Sequence, residues 1–143
     1  MIRKTKRIRE ILERLSKMYP SPRTELEFET PFQLLVATML AAQSTDRQVN
    51  RVTARLFDAY GTPETMATLS AEQLEPWVSS VGLYRNKSRA ITETARILMG
   101  QYGGDVPKTR EELESLPGVG RKTANVVLSN AFDIPAFAVD THV

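Results

Sequence analysis

The side chains most able to do chemistry in this sequence gather in one nonapeptide, Leu116-Pro117-Gly118-Val119-Gly120-Arg121-Lys122-Thr123-Ala124. Pro117 ends the helix-like stretch Glu111 to Leu116, and Gly118 and Gly120 permit a positive φ or a close backbone approach. No breaker follows Arg121 for about a dozen residues, so the spacing predicts helix, hairpin, helix. A helix that begins here presents unpaired N–H groups and a positive dipole end. Gly118, Val119, Gly120, Arg121 and Thr123 are therefore expected to grip a phosphate, with the Lys122 amine beside it. Such a grip carries no base information, and nucleic acid is the expected ligand. The duller alternative, a glycine helix cap followed by a surface lysine, would be the better reading of a lone Pro-Gly pair.

Two other phosphate motifs are excluded by residue type. An NTPase loop needs Gly directly before Lys-Thr and a preceding strand, but Arg121 holds that place and Thr109 to Leu116 is polar and helix-like. A dinucleotide fingerprint needs a third glycine and a βαβ setting, and neither is visible. A second reactive group lies further on. Asp140 follows the apolar approach Ile134 to Val139 and precedes Thr141-His142-Val143, which places it at the N-cap of a new helix, where its carboxylate stays ionised. His142 is the only histidine and has no companions for a metal site, so it is read as structural.

Pro31 to Asp46 (PFQLLVATMLAAQSTD), Val81 to Ser88 (VGLYRNKS), Leu116 to Asn130 (LPGVGRKTANVVLSN) and Val139 to Val143 together resemble, in order and spacing, the endonuclease III branch of the helix-hairpin-helix DNA glycosylase superfamily. The resemblance covers nearly the whole chain. It implies a base-excision repair enzyme acting on double-stranded DNA with oxidised pyrimidines or abasic sites, removing the base and then nicking the strand. It casts Lys122 as nucleophile. An amine attacking the sugar C1′ displaces the base as an imine forms, and the imine acidifies the 2′ proton so that the 3′ phosphate leaves by β-elimination. A nucleophilic lysine needs its charged form disfavoured; the helix N-terminus and Arg121 push that way, and DNA phosphates oppose it. By the same resemblance Asp140 stabilises positive charge on the sugar and assists proton transfer at the lysine. Relatives that only remove a base carry another residue at the position of Lys122, so this chain is expected to nick.

The resemblance also places Gln43 and Leu83 on loops facing DNA, filling the space left when a nucleotide swings out of the stack. Extrusion costs a few kcal/mol, which a polar filler and an apolar wedge partly offset. Gln43 could instead cap a helix end, and Leu83 could close a hydrophobic contact after Gly82. Asp46 is expected to cap the helix that follows. Arg85 and Lys87, with Arg89, form a basic cluster after the Leu83 loop and are expected to contact DNA phosphates. Two alternatives stay open: a non-catalytic helix-hairpin-helix DNA-binding module, and a glycosylase of different, mismatch, specificity.

Positioning these groups falls to helices. Val49, Val52, Leu56, Phe57 and Tyr60 follow helical spacing, as do Ile91, Thr94, Ala95 and Leu98, and Ile8, Ile11, Leu12, Leu15 and Met18. Leu74, Trp77, Val78 and Val81 fit one short helix, with Trp77 in the core. Leu34 to Ala42 reads as a fully buried helix, too short to span a bilayer. Breaks fall at Pro20 to Pro22, Gly61 to Pro63, Gly82 and Gly103-Gly104. No sustained period-two stretch is evident. The expected fold is all-α, a helical bundle or barrel, with an N-terminal helix over residues 1–20 and a helical domain over 21–143. That domain holds the helix-hairpin-helix at 111–131 and the aspartate loop at 135–143.

With 143 residues, 41% hydrophobic and 25% charged, the chain has ordinary globular composition. It opens with no signal-peptide pattern, so a cytoplasmic location is expected; a monomer without membrane contact is expected as well. The net charge of +2 hides a split, because residues 1–20 carry +5 and the remainder −3. DNA binding must then rest on local basic clusters and backbone donors. The basic run Arg3, Lys4, Lys6, Arg7 and Arg9 is read as a solvated face. There is no cysteine. The resemblance implies a four-cysteine loop holding a 4Fe-4S cluster well past the aspartate, and this chain has no residues to ligate it. In the family layout the N-terminal helix packs with that later region, so Ile8, Ile11, Leu12 and Leu15 are expected to leave an apolar face exposed.

Overall fold

The computed structural model describes residues 24–134, and these are helical with connecting turns. The expected N-terminal helix, the Pro20 to Pro22 break and the aspartate loop with Asp140 lie outside the described residues. Seven helices occur among them: α1 (Pro31–Ala41), α2 (Asp46–Tyr60), α3 (Pro63–Met66), α4 (Ala71–Val78), α5 (Tyr84–Gln101), α6 (Arg110–Glu114) and α7 (Arg121–Ala131). The all-α expectation agrees with this architecture. None of these helices is long and apolar enough to cross a membrane.

α1 is the axis of the body. Nine of its eleven residues, Phe32 to Leu40, are buried, and α2, α5 and α7 pack around it. Only Gln33 and Thr38 interrupt its apolar surface, and the Thr38 hydroxyl is satisfied by the Leu34 carbonyl at 2.7 Å, which is why the stretch reads as buried from sequence. α2, α5 and α7 are amphipathic instead. Val49, Val52 and Leu56, then Ile91, Ala95 and Leu98, then Ala124, Val127 and Leu128 turn inward. Trp77 joins the core edge, its ring edge-on to Tyr60 with centroids 5.6 Å apart, in agreement with its assignment to the core. Val81 is buried but lies beyond the end of α4, in the turn that follows it.

Hydroxyl caps set most helix starts. Thr30, Thr45, Thr62, Ser70 and Thr109 each accept a backbone N–H from the first turn of α1, α2, α3, α4 and α6. Asp46 was expected in this role; Thr45 holds it, and Asp46 is the first helical residue, its carboxylate accepting the Glu25 N–H at 3.3 Å. The residues before α1 form an extended strap. Leu26 and Phe28 are buried while Glu25 and Glu27 face outward. Asn50 bonds the backbone of Glu25 and Glu27, and Asn130 accepts the Thr24 N–H, which lays the strap across α2 and α7. The apolar–acidic alternation Leu26-Glu27-Phe28-Glu29 is the period-two signal for it, too short to count as a sustained run.

Candidate nucleic-acid interface

The hairpin between α6 and α7 is built as its residues dictate. Leu116 is buried, Pro117 offers its carbonyl to the Thr94 hydroxyl at 3.2 Å, and Gly118 takes φ +74°. A Cβ on Gly118 would stand 2.8 Å from Ala90 Cβ and 3.3 Å from Met39 Cε, so glycine is needed for both conformation and closeness. Gly120 is different. Its backbone is extended, at φ −101° and ψ −174°, and a Cβ there would meet nothing within 4 Å. It serves as an N-cap without a side chain, so among the described residues no atom occupies the space before the first turn of α7 that a side-chain cap would fill. Lys122 and Arg121 are exposed in that turn, and Thr123 is half-buried.

Val119 departs from its expected part. Its side chain is buried and its N–H is spent on the Leu116 carbonyl at 3.2 Å, so it anchors the hairpin and offers neither group to DNA.

Two further turns carry the expected intruding residues. Gln43 follows the end of α1 at φ 63°, and Leu83 precedes α5 at φ 57°. Leu83 is 57% exposed, rare for a large apolar side chain here, and it heads α5 with no side-chain cap. Left-handed backbone is costly for both residue types, and such strain concentrates at functional sites. The turns touch. The Gly82 N–H donates to Ser44 Oγ at 3.1 Å, and the Gln43 carbonyl lies 3.4 Å from where a Gly82 Cβ would be. Gln48 Nε2 also donates to the Ser80 carbonyl. Because Met39 and Ala90, which contact Gly118, belong to the end of α1 and the beginning of α5, the hairpin sits at the same end of the body as both turns. Ser44 and Gln48 were not singled out from sequence; polar residues just after the Gln43 turn are the only signal for them.

The basic cluster splits in two. Arg85 is exposed, 5.4 Å over the Tyr84 ring and 4.0 Å from Glu75, and Arg89 is also exposed. Lys87 does not fit the expectation of a phosphate contact. It is only 8% exposed, and its Nζ donates to the carbonyls of Leu40, at 2.9 Å, and Ala42. Burial pushes its amine below the usual lysine range.

A helix-hairpin-helix seated beside two strained, touching turns on an all-helical body defines the class of protein. A family model for the HhH-GPD superfamily of base excision DNA repair proteins matches residues 36–143. Endonuclease III of Escherichia coli K12 is 51% identical over 140 residues, covering 98% of this chain and 66% of that protein. Endonuclease III of Bacillus subtilis is 49% identical over 138 residues, covering 96% and 63%. A solved structure of endonuclease III trapped with DNA as a covalent intermediate, an estranged-adenine complex, superposes with TM-score 0.78 at 51% identity, covering 96% of this chain and 65% of that one. The chain belongs to the HhH-GPD superfamily of base excision DNA repair proteins, on its endonuclease III branch, and spans just under two thirds of the length of these relatives. It has no cysteine, and among the described residues no three His, Asp or Glu side chains gather as a metal site. The residues present therefore do not fit an iron-sulfur cluster.

Proposed function

We propose that the protein containing this chain is a bifunctional DNA glycosylase and abasic-site lyase acting on oxidised pyrimidines in double-stranded DNA. The observation that carries this reading is the convergence of the Gln43 turn, the Leu83 turn and the glycine hairpin at one end of the body, with the Lys122 amine exposed in the first turn of α7. The hairpin, through Gly118, Gly120 and the N-terminus of α7, holds a backbone phosphate. Arg121, Thr123 and Arg85 add charge and donors around it. Leu83 enters the stack as the wedge, and Gln43 fills the vacated space opposite the partner strand.

With the nucleotide extruded, Lys122 Nζ in its neutral form attacks C1′. The C1′–N glycosidic bond breaks, the base leaves with a proton, and the sugar opens to an imine on the lysine. Removal of a 2′ proton then expels the 3′ phosphate as the C3′–O bond breaks. Asp140 is assigned the stabilisation of positive charge at C1′ and the proton transfers around Nζ. Covalent trapping of the similar endonuclease III on DNA supports a covalent step of this kind. The cluster implied for the branch is assigned to the part of the relatives' length that the match does not reach.

The test uses the complete protein with duplexes carrying an oxidised thymine or an abasic site. Strand nicking and a borohydride-stable adduct are expected, both abolished by Lys122→Gln with binding retained. Binding without either, unchanged by Lys122→Gln, would replace the enzyme with a DNA-binding module.

A further inference from the structure

Lys87 is the charged side chain whose surroundings the reaction leaves unexplained. It lies in the first turn of α5, and its backbone N–H donates to the Leu83 carbonyl at 3.0 Å, the hydrogen bond that starts the helix behind the wedge. Its Nζ crosses to the end of α1 and donates to Leu40 O and Ala42 O, the latter one residue before Gln43. α1 has no basic residue in its own last turn, so Lys87 supplies from another helix the cation that unpaired C-terminal carbonyls favour. One residue thus holds Leu83 by its backbone and the approach to Gln43 by its side chain.

We propose that Lys87 is a positioning residue that locks the Gln43 turn to the Leu83 turn, so that wedge and filler enter the duplex as one unit. The proposal rests on the DNA-intruding role assigned above. It assigns Lys87 no contact with DNA, because its ammonium is enclosed and engaged with protein carbonyls. Removing the amine frees the end of α1 to move relative to α5, while the hairpin, held by Thr94 and the close approach of Gly118 to Ala90, keeps its phosphate grip.

The complete protein and its Lys87→Met variant would be titrated against a duplex with a reduced abasic site facing 2-aminopurine and against an undamaged duplex. Wild type should prefer the abasic duplex and brighten the 2-aminopurine as its stacking is lost. Lys87→Met should lose that preference at least tenfold together with the brightening, while binding undamaged duplex within twofold of wild type. Retained preference, or a parallel loss on both duplexes, would overturn the proposal. If Lys87→Met does not fold by circular dichroism, Lys87→Gln takes its place under the same criteria. Wild type that brightens the probe but never nicks a natural abasic site would sink the lyase reading and leave this test intact.

Discussion

Gln43 and Leu83, forty residues apart in sequence, are both held at positive φ on turns joined by the Gly82 N–H to Ser44 Oγ hydrogen bond. Neither residue type favours that backbone, so the fold accepts local strain to present one amide and one exposed isobutyl group on adjoining turns. Replacing Leu83 by Gly should relieve the strain and raise folding stability by about 1 kcal/mol. The same change removes the proposed wedge, so preference for an abasic over an undamaged duplex should fall. Urea denaturation and DNA titration of one preparation would check both signs. A loss of stability would mean that the left-handed turn is not where the strain resides.

Gly118 and Gly120 should respond differently to alanine, the first in stability and the second in DNA affinity. At Gly118 the new methyl meets Ala90 and Met39 on a backbone at φ +74°, and a loss of about 1–3 kcal/mol is expected from strain and overpacking. At Gly120 the backbone is extended and the space open, so the fold should lose less than about 1 kcal/mol. The methyl would instead stand in the space proposed for a phosphate, lowering affinity for duplexes of any sequence. Thermal melts separate the first effect, and binding at fixed salt reads the second.

Much of this site was legible because it is made of residues with few conformational options. Gly118 and Pro117 dictate a turn, the apolar run Leu34 to Leu40, broken only by Thr38, dictates a buried helix, and the spacing in α2 and α5 dictates which sides face inward. Lys87 was not legible. A lysine two residues after an exposed arginine reads as a second surface charge, and only packing shows that the end of α1 lies within reach of its amine. Val119 misled in the same way, since a residue between two glycines gains its burial from neighbours distant in sequence. Asp46 lost the cap to Thr45 by one position, which local composition does not resolve when Ser, Thr and Asp stand together.

Ser88 follows Lys87 into the interior of α5. It is fully buried, and its hydroxyl has no hydrogen-bond partner among the described residues. An unsatisfied hydroxyl in that setting costs free energy that alanine would not, so Ser88→Ala should match or exceed wild-type stability, by up to about 1 kcal/mol. DNA selectivity should not change. A chemical melt with no change in slope, paired with the abasic-duplex titration, checks this; lost selectivity would show that the hydroxyl shapes the slot occupied by Lys87.

Asp133 gives the pH dependence its clearest sign. It sits just past α7 at φ 56°, in a turn that lets the Ile134 N–H reach the Leu128 carbonyl at 2.9 Å. Desolvation raises its carboxyl above the ordinary 3.8, and the end of a helix is in any case a poor place for negative charge. A raised folded-state value means that the neutral acid is the form the fold prefers. Its contribution is therefore fully present below about pH 3.8 and is lost as pH climbs through the raised value, leaving the ionised group unfavourable at neutrality. Asp133→Asn keeps a residue that tolerates left-handed backbone and removes the charge. Because the residue is largely exposed, solvent screening limits the gain at pH 7 to a few tenths of a kcal/mol. The difference between variant and wild type should shrink towards zero as denaturation is repeated down to pH 4 and below. A difference that instead grew with acidity would mean that the carboxylate is held by a partner it benefits from.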